Sequence, residues 1–269
     1  MREEFLNIWI HEDEQLEALL DGIIITRENL SHWPLSYVEK IMLKDNTQFV
    51  YKSQHSASSM EKKVYSKIQM PFLISPIYYE TYKNCDIMIF PYLNYPTLGD
   101  VCENELEQVI SSISCMIQNI SDMPVFFDVS SVGKLEQIIN EVCIIFEEKD
   151  EAQNTTVLKN WVSEKAYTCF LNQQIGNVHG DLTASNILTK NGKPQYILDW
   201  QRPMKAPVLL ENALAFRLAG YDGVKKYGDF GLLAVVCHFI WYSYACNKFM
   251  PFIYETANKL LLEFTLMLR

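Results

Sequence analysis

Short runs in which Ile, Val, Tyr and Phe predominate recur through the first ninety positions, and polar residues separate them; such runs are typical of β-strands. Lys44-Asp45-Asn46 separates two of these runs and predicts a hairpin turn. Apolar residues at helical spacing precede the runs, and a second helical stretch lies between two of them. The predicted segments are helices over Glu3–Leu20 and around Ser58–Gln69, and strands over Gly22–Thr26, Ser36–Leu43, Thr47–Lys52 and Asp86–Phe90.

Beyond Pro96 the apolar spacing becomes that of amphipathic helices. One hairpin interrupts it, with Asn191-Gly192-Lys193-Pro194 as the turn. The change of pattern at residues 91–96 predicts a smaller β-rich lobe followed by a larger α-rich lobe, and a ligand is expected in a cleft between two such lobes. The predicted helices are Leu98–Ile120, Val132–Glu147, Thr155–Gln173 and the chain from Asn212 onward.

The charge of the chain narrows the range of partners. Lys and Arg number 23 against 33 Asp and Glu, which gives a net charge of −10 over 269 residues. Such an excess disfavours nucleic acid and anionic membranes, so neither is expected as a partner, and it mildly favours cationic substrates. The ordinary solubility of an acidic protein explains the same charge equally well.

Cysteine usage and one apolar run bear on location. Seven scattered cysteines without a C-x-x-C pair indicate reduced thiols, and Met1–Phe5 has no apolar signal region, so a cytoplasmic location is expected. Phe230–Asn247 carries no charged residue, which makes it a candidate membrane span. Its polar residues and central aromatics favour a buried helix instead.

The most specific pattern is H-G-D-L-T-A-S-N-I-L at 179–188, followed by I-L-D-W at 197–200. Asp181 lies in a loop, where it can accept the proton of a substrate hydroxyl. Asn186 and Asp199 offer oxygens of the kind that Mg²⁺ prefers, and the register of the predicted hairpin brings these two residues to the same end. Taken singly, Asp181 or Asn186 is explained about as well as a turn cap.

This set resembles the motifs of the aminoglycoside phosphotransferase and choline kinase group, relatives of the protein kinases, and the resemblance extends over about Leu30 to Leu218. It implies an α+β, bilobal protein-kinase-like fold: a small antiparallel β-sheet N-lobe with one main helix, and a large, mostly α-helical C-lobe. The implied domains are a nucleotide-binding lobe over residues 1–93 and a catalytic and substrate-binding lobe over 94–269. Asp181 would be the catalytic base, with Asn186 and Asp199 as magnesium ligands.

Two further residues follow from the resemblance. Lys52 ends a strand as the lysine that contacts the α- and β-phosphates does, and Glu61 matches the helix glutamate that pairs with it. Without the resemblance, Lys52 would be interpreted as an ordinary exposed lysine of a strand. Glu61, next to Lys62 and Lys63, fits a solvated helix face about as well.

The remaining nucleotide contacts are predicted at the interlobe hinge and at the phosphate loop. The Pro91 carbonyl and the Leu93 N–H would hydrogen-bond the adenine base, although a simple connector explains these residues equally well. No glycine occurs between Gly22 and Gly99, so the phosphate loop at 31–36 lacks the glycines that kinases use. Its hydroxyls, Ser36 among them, would contact phosphate instead.

The function expected from these residues is a Mg²⁺-dependent kinase that uses ATP or GTP. Its acceptor would be a hydroxyl of a small polar molecule, cationic ones included. A kinase-like binding or scaffold protein without phosphotransfer is the alternative, and the missing A-P-E and activation segment weigh against a protein kinase. Glu211 is expected to have a structural role at a helix start. The acceptor pocket would be built by the last helices, which offer Asp222, Asp229, Glu255 and Glu263.

Overall fold

The computed structural model describes residues 1–149 and 151–268. Their contacts divide the chain into two compact units. The first unit consists of Met1–Thr97 and Ile187–Gln201, and the second of Leu98–Asn186 and the chain from Arg202 onward. The motif hairpin at 187–201 therefore belongs to the first unit, although it follows the H-G-D segment of the second. The predicted functional division between residues 93 and 94 stays a prediction.

Strands are concentrated before residue 92, and the longer helices follow residue 102. The strands are β1 (Arg2–Phe5), β2 (Ile8–Ile10), β3 (Ile24–Trp33), β4 (Ser36–Leu43), β5 (Gln48–His55), β6 (Tyr78–Tyr82), β7 (Cys85–Pro91), β8 (Phe127–Asp128), β9 (Ile175–Val178), β10 (Ile187–Lys190), β11 (Lys193–Ile197) and β12 (Met204–Pro207). The helices are α1 (Asp13–Leu20), α2 (Glu61–Lys67), α3 (Glu103–Ile117), α4 (Val132–Glu147), α5 (Ala152–Glu164), α6 (Leu210–Leu218), α7 (Gly223–Tyr227), α8 (Asp229–Lys248) and α9 (Tyr254–Met267).

An antiparallel sheet in the order β3-β4-β5-β7-β6 is the centre of the first unit. Successive residues of a strand face opposite sides of a sheet, so β5 serves two clusters. Tyr51 packs into a core with residues of β2, α1 and β7. On the other face, Val50 packs with Met88 and with Leu188 of β10. Lys52 pairs in register with Val38 and Met88, which places it on this second face.

The start of the chain corrects one prediction. The expected helix over Glu3–Leu20 is wrong, because Arg2–Phe5 and Ile8–Ile10 form a hairpin and only Asp13–Leu20 is helical. Leu6 and Asn7 make the turn with φ of 45° and 66°. Ile8 and Ile10 are both fully buried, with Trp9 between them on the other side. Buried residues two positions apart are typical of a strand, and the predicted helix did not take this spacing into account.

The first unit, all of whose residues are described, carries two short α-helices beside its sheet. α1 has eight residues and α2 has seven, so neither dominates. Strand β6 was not predicted, whereas β4 has the predicted bounds. The antiparallel sheet and the α+β class are as predicted.

The second unit is built around α8, which packs with α4, α6 and α9. Within the described part of the chain, α8 alone is long and apolar enough to cross a membrane, and 78% of its apolar window is buried inside the protein. The prediction of a buried helix at 230–247 agrees with this burial. A small sheet in the order β8-β12-β9 lies beside the helices, and β9 leads directly into His179.

Candidate active site

A buried lysine with two carboxylates is the first cluster of the site, and all three residues belong to the first unit. Lys52 Nζ lies 2.5 Å from Glu61 Oε2 and 2.5 Å from Asp199 Oδ1. Lys52 and Glu61 are almost inaccessible to solvent, and the Asp199 side chain is 30% exposed. The structure therefore brings these three predicted residues together, and Glu61 does not lie on a solvated helix face.

Charge decides how this cluster behaves. Burial works against the charged form of Lys52, but Asp199 and Glu61 outweigh it and hold the pKa of Lys52 above its usual value. Burial also raises the pKa of Glu61, an effect that Lys52 opposes. With all three groups ionised, one positive charge faces two negative charges. A further cation at Asp199 would balance the excess.

Asp199 is held in a backbone conformation that is unusual for its residue type. Its φ is 63°, in the left-handed region, and its carbonyl accepts the Gln201 N–H at 2.8 Å. The next residue, Trp200, is fully buried, donates its indole N–H to the Ile197 carbonyl at 3.0 Å and stacks on Phe72. Trp200 thus packs into the interior, and it fixes the turn that presents the Asp199 carboxylate.

The second cluster is the H-G-D loop of the second unit. Glu211 of α6 has no exposed surface, and its carboxylate accepts the backbone N–H groups of His179 and Gly180, the latter at 3.2 Å. Gly180 has a φ of 82°, and a side chain there would collide with the Arg202 carbonyl. Glu211 and this glycine together fix the path of the chain into Asp181.

Two opposing effects act on Glu211. Burial raises the pKa of this carboxyl to about 7, although the two backbone N–H groups stabilise the charged form. The negative charge of Asp181 adds to the increase. The expected structural role of Glu211 is therefore that of a buried acceptor for the H-G-D loop, with a charge that changes near neutral pH.

Asn186 closes the same loop from its other end. Its side-chain N–H donates to the Asp181 backbone carbonyl at 2.8 Å, and its own backbone N–H donates to the Thr183 carbonyl at 3.0 Å. Because the side-chain nitrogen of Asn186 is held by this hydrogen bond, the direction of its side-chain oxygen is set as well. An amide oxygen and the Asp199 carboxylate are hard donors that suit Mg²⁺. No group of three or more His, Cys, Asp and Glu in the described residues has the arrangement of a metal site.

Arg202 is a site residue that the sequence reading missed. Its guanidinium pairs with the Asp181 carboxylate at Oδ2, and its central carbon lies 4.2 Å from the ring centre of Trp241 in α8. Arg202 comes three residues after Asp199 and Trp241 lies in a buried helix. No local pattern connects either of them with Asp181, so the sequence offered no sign of this contact.

The other predicted nucleotide contacts lie along the sheet of the first unit. Ser36 is paired with Gln54, and by that register it shares a face with Lys52, two positions away along β5. Pro91 pairs with Phe49 at the other end, and Leu93 packs against the cluster that contains Met88 and Phe90. The order along the sheet is therefore Ser36, Lys52 and Pro91.

The loop before Ser36 is a tight turn rather than an open flap. Pro34 and Leu35 form the turn between β3 and β4, Leu35 is buried, and its carbonyl accepts the His55 N–H at 2.9 Å. The predicted role of the 31–36 loop in phosphate binding stays a prediction.

Three of the four carboxylates proposed for the acceptor pocket already have partners in the second unit. Asp222 accepts the Lys225 N–H at the start of α7, at 2.9 Å. Asp229 accepts the Thr168 hydroxyl at 2.7 Å. Glu263 forms a two-pronged ion pair with Arg217, at 2.5 and 2.7 Å. Their local roles explain these three residues without an acceptor.

An antiparallel sheet with a paired lysine, together with a helical unit that carries an H-G-D loop, defines the protein-kinase-like fold of small-molecule phosphotransferases. Comparison with solved structures confirms this fold. A thermostable mutant of aminoglycoside phosphotransferase APH(4)-Ia, in a ternary complex with ADP and hygromycin B, has a TM-score of 0.64 at 13% identity, covering 94% of this chain and 96% of that one.

Two further structures have the same fold. Macrolide 2'-phosphotransferase MphH from Brachybacterium faecium has a TM-score of 0.60 at 12% identity, covering 92% of this chain and 95% of that chain. The streptomycin–ATP complex of APH(2'')-IIa has a TM-score of 0.57 at 15% identity, covering 96% and 97%. By sequence alone, no protein-family model and no curated protein matches the chain.

Proposed function

We propose that this protein is a Mg²⁺-dependent kinase that transfers the γ-phosphate of ATP or GTP to a hydroxyl of a small polar molecule. The observation that carries the proposal is the buried Lys52, fixed by both Glu61 and Asp199 on one face of the sheet. A lysine held in this way is positioned for the α- and β-phosphates of a nucleotide. The solved structures of the same fold support the proposal, since their bound ligands include ADP with hygromycin B and ATP with streptomycin.

The nucleotide would lie along the face of the sheet that carries Lys52. The base would contact Pro91 and Leu93, beside an apolar cluster that includes Met88 and Phe90. The triphosphate would pass Lys52 toward Ser36. Ser36 and Pro91 are separated by five positions along β5, roughly 17 Å at the usual rise of a strand.

Asp181 would accept the proton of the acceptor hydroxyl and direct its oxygen at the γ-phosphorus. Asn186 and Asp199 would hold Mg²⁺, which supplies positive charge to the phosphate oxygens when it is bound. In the structure the Lys52 ammonium is paired with Asp199. When a nucleotide is bound, this ammonium would interact with the phosphates as well as with that carboxylate. Glu61 keeps the ammonium near its place while it does so.

One observation favours the alternative of a kinase-like binding protein without phosphotransfer. The turn at Pro34 and Leu35 contains no glycine and is tied to β5 through the His55 N–H. Close approach of its backbone to phosphate is harder than in a glycine-rich loop. The complete set of Lys52, Glu61, Asp181, Asn186 and Asp199 favours the enzyme.

Replacement of Asp181 by asparagine tests the proposal. Asparagine keeps the shape of aspartate and a side-chain oxygen for Arg202, but it cannot take a proton, so turnover should fall by about 10²–10⁴-fold. Release of nucleoside diphosphate would be followed with ATP and GTP across a panel of hydroxyl compounds: aminoglycosides, macrolides, choline, sugars and amino alcohols. Thermal unfolding with and without Mg-nucleotide would control for folding and nucleotide binding.

Two results would contradict the proposed mechanism or function. Undiminished turnover in Asp181→Asn would remove Asp181 as the base. A wild-type protein that is stabilised by Mg-nucleotide but phosphorylates nothing in the panel would favour the binding protein.

A further inference from the structure

Arg202 contacts the predicted base, although it belongs to none of the sequence motifs. It pairs with Asp181 Oδ2 inside the second unit, and the two side chains are only 19% and 11% exposed. A guanidinium and a carboxylate in such a place attract each other more strongly than a surface pair, because little solvent screens them.

Arg202 also contacts an aromatic ring of α8. The Trp241 ring, which is 6% exposed, lies against the guanidinium plane. A cation on an indole face gains attraction from the ring, and the flat guanidinium stacks there better than an ammonium would. Arg202 therefore has one partner that fixes its plane and another that receives its charge.

Other titratable groups face this pair: the His179 Nδ1 accepts the Asp181 backbone N–H at 3.3 Å, and further groups lie on the neighbouring helices. Glu211 of α6 lies near Asp181, and on α8 the imidazole of His238 lies near Arg202. Burial lowers the pKa of His238 to about 3, helped by the charges of Arg217 and Arg202, so this histidine is neutral at physiological pH. Arg202 is thus a cation in direct contact with the Asp181 carboxylate.

We propose that Arg202, stacked on Trp241, is the residue that positions Asp181 for the acceptor hydroxyl. By holding Oδ2, it sets the direction in which Oδ1 points. This inference rests on the proposed function, because it assumes that Asp181 is the base. Arg202 acts through Asp181, so it is a positioning residue.

The first test measures the carboxylate directly and needs no enzymatic activity. Protein labelled with ¹³C at the aspartate carboxyls would be titrated by NMR, with Asp181→Asn identifying the Asp181 signal. In Arg202→Gln the titration midpoint of Asp181 should rise by about one pH unit or more, because an adjacent positive charge is lost. Arg202→Lys keeps the charge without the flat stack, so its midpoint should lie in between.

Arg217→Gln is the matched control. Arg217 is also an arginine of the second unit that pairs with a carboxylate, Glu263, and its side chain is 21% exposed. The stability of this variant should fall as that of Arg202→Gln does, while the Asp181 midpoint stays at its wild-type value. An equal shift in both variants, or none in Arg202→Gln, would overturn the proposal.

The second test measures turnover. Arg202→Gln should lower kcat by roughly 10–100-fold and leave the KM for nucleotide unchanged. The reason is that a small displacement of a catalytic group from its reactive position slows the chemical step. Arg202→Lys should recover part of the loss. A change confined to KM, or a lysine variant no better than glutamine, contradicts the positioning role. If the Asp181 midpoint shifts in Arg202→Gln as expected but the wild-type protein transfers no phosphate, the result contradicts the proposed function alone.

Discussion

Glu211 illustrates how one buried side chain organises the H-G-D loop. Its two carboxylate oxygens accept two successive backbone N–H groups, of His179 and Gly180, which is the arrangement expected of the ionised form. Burial favours the neutral form and raises the pKa to about 7. The loop that presents Asp181 is therefore held by a group whose charge changes within the physiological range.

This conflict predicts a pH dependence of stability. The pKa of Glu211 is raised in the folded protein from about 4.5 to about 7, so the folded state binds the extra proton between these values. The contribution of Glu211 is thus fully present below pH 4.5 and is lost as pH rises to about 7. Across that window the free energy of unfolding of wild type, relative to Glu211→Gln, should fall by up to about 3 kcal/mol.

Denaturant unfolding of the two proteins at several pH values measures this difference. The amide that Glu211→Gln introduces cannot titrate, so the difference isolates one group. A difference that stays constant between pH 4.5 and 7.5 would show that folding does not raise the pKa of Glu211.

At the scale of elements, glycine decides how closely α7 and α8 approach. A Cβ on Gly231 of α8 would lie 2.5 Å from the backbone of Gly223 and Val224. Backbone atoms cannot move aside as the end of a flexible side chain can, so the close packing of α7 on α8 requires a residue without a side chain at this position. Gly133 in α4 has no heavy atom within 4 Å of the same position.

The two glycines form a matched pair for mutation. Gly231→Ala should lower the free energy of unfolding by about 1–3 kcal/mol, because it overpacks a backbone contact. Gly133→Ala should leave it unchanged or raise it by up to about 1 kcal/mol, because alanine favours a helix. Chemical denaturation of both variants measures the effects. Equal stability of the two variants would mean that α7 can move away from α8 without a decrease in the free energy of unfolding.

Elements that use local interactions were the most predictable. β4 and α4 have the predicted bounds, and the turn at Lys44–Asn46 joins β4 to β5 as expected. The hairpin at the N-terminus was missed, because Phe5, Ile8 and Trp9 also fit a helical period. When residues fit both a helical and a strand period, the tertiary packing decides which element forms. Here the deciding contact is the hydrophobic core shared by β2, α1 and β5.

At the scale of the whole molecule, the predicted site residues divide between the two units. Lys52, Glu61 and Asp199 belong to the first unit, and Asp181 and Asn186 to the second. If Asn186 and Asp199 are both ligands of the magnesium, a bound nucleotide must stabilise segments of both units. Its contribution would be about 2.7 kcal/mol at a concentration one hundred times Kd.

Hydrogen exchange tests this prediction. A Mg-bound, non-hydrolysable ATP analogue should slow exchange in β5 around Lys52, at 199–201 and also at 181–186. Asp199→Asn should lose the magnesium-dependent part of the protection, and analogue without magnesium serves as the control. Protection limited to the first unit would remove Asn186 from the ligand set.

The sequence by itself determined the chemistry that is local along the chain. The spacing of Asp181, Asn186 and Asp199 and the α+β class were predicted, because motif residues and strand-like or helical patterns are properties of short segments. The pairing of Lys52 with Glu61 was implied by the family resemblance of those motifs. Only the tertiary structure decided which distant groups meet: Arg202 on Asp181 and Trp241, and Glu211 beneath His179 and Gly180. The physical reason is that these contacts are selected by packing and charge between elements far apart in sequence, where no residue pattern records the partner.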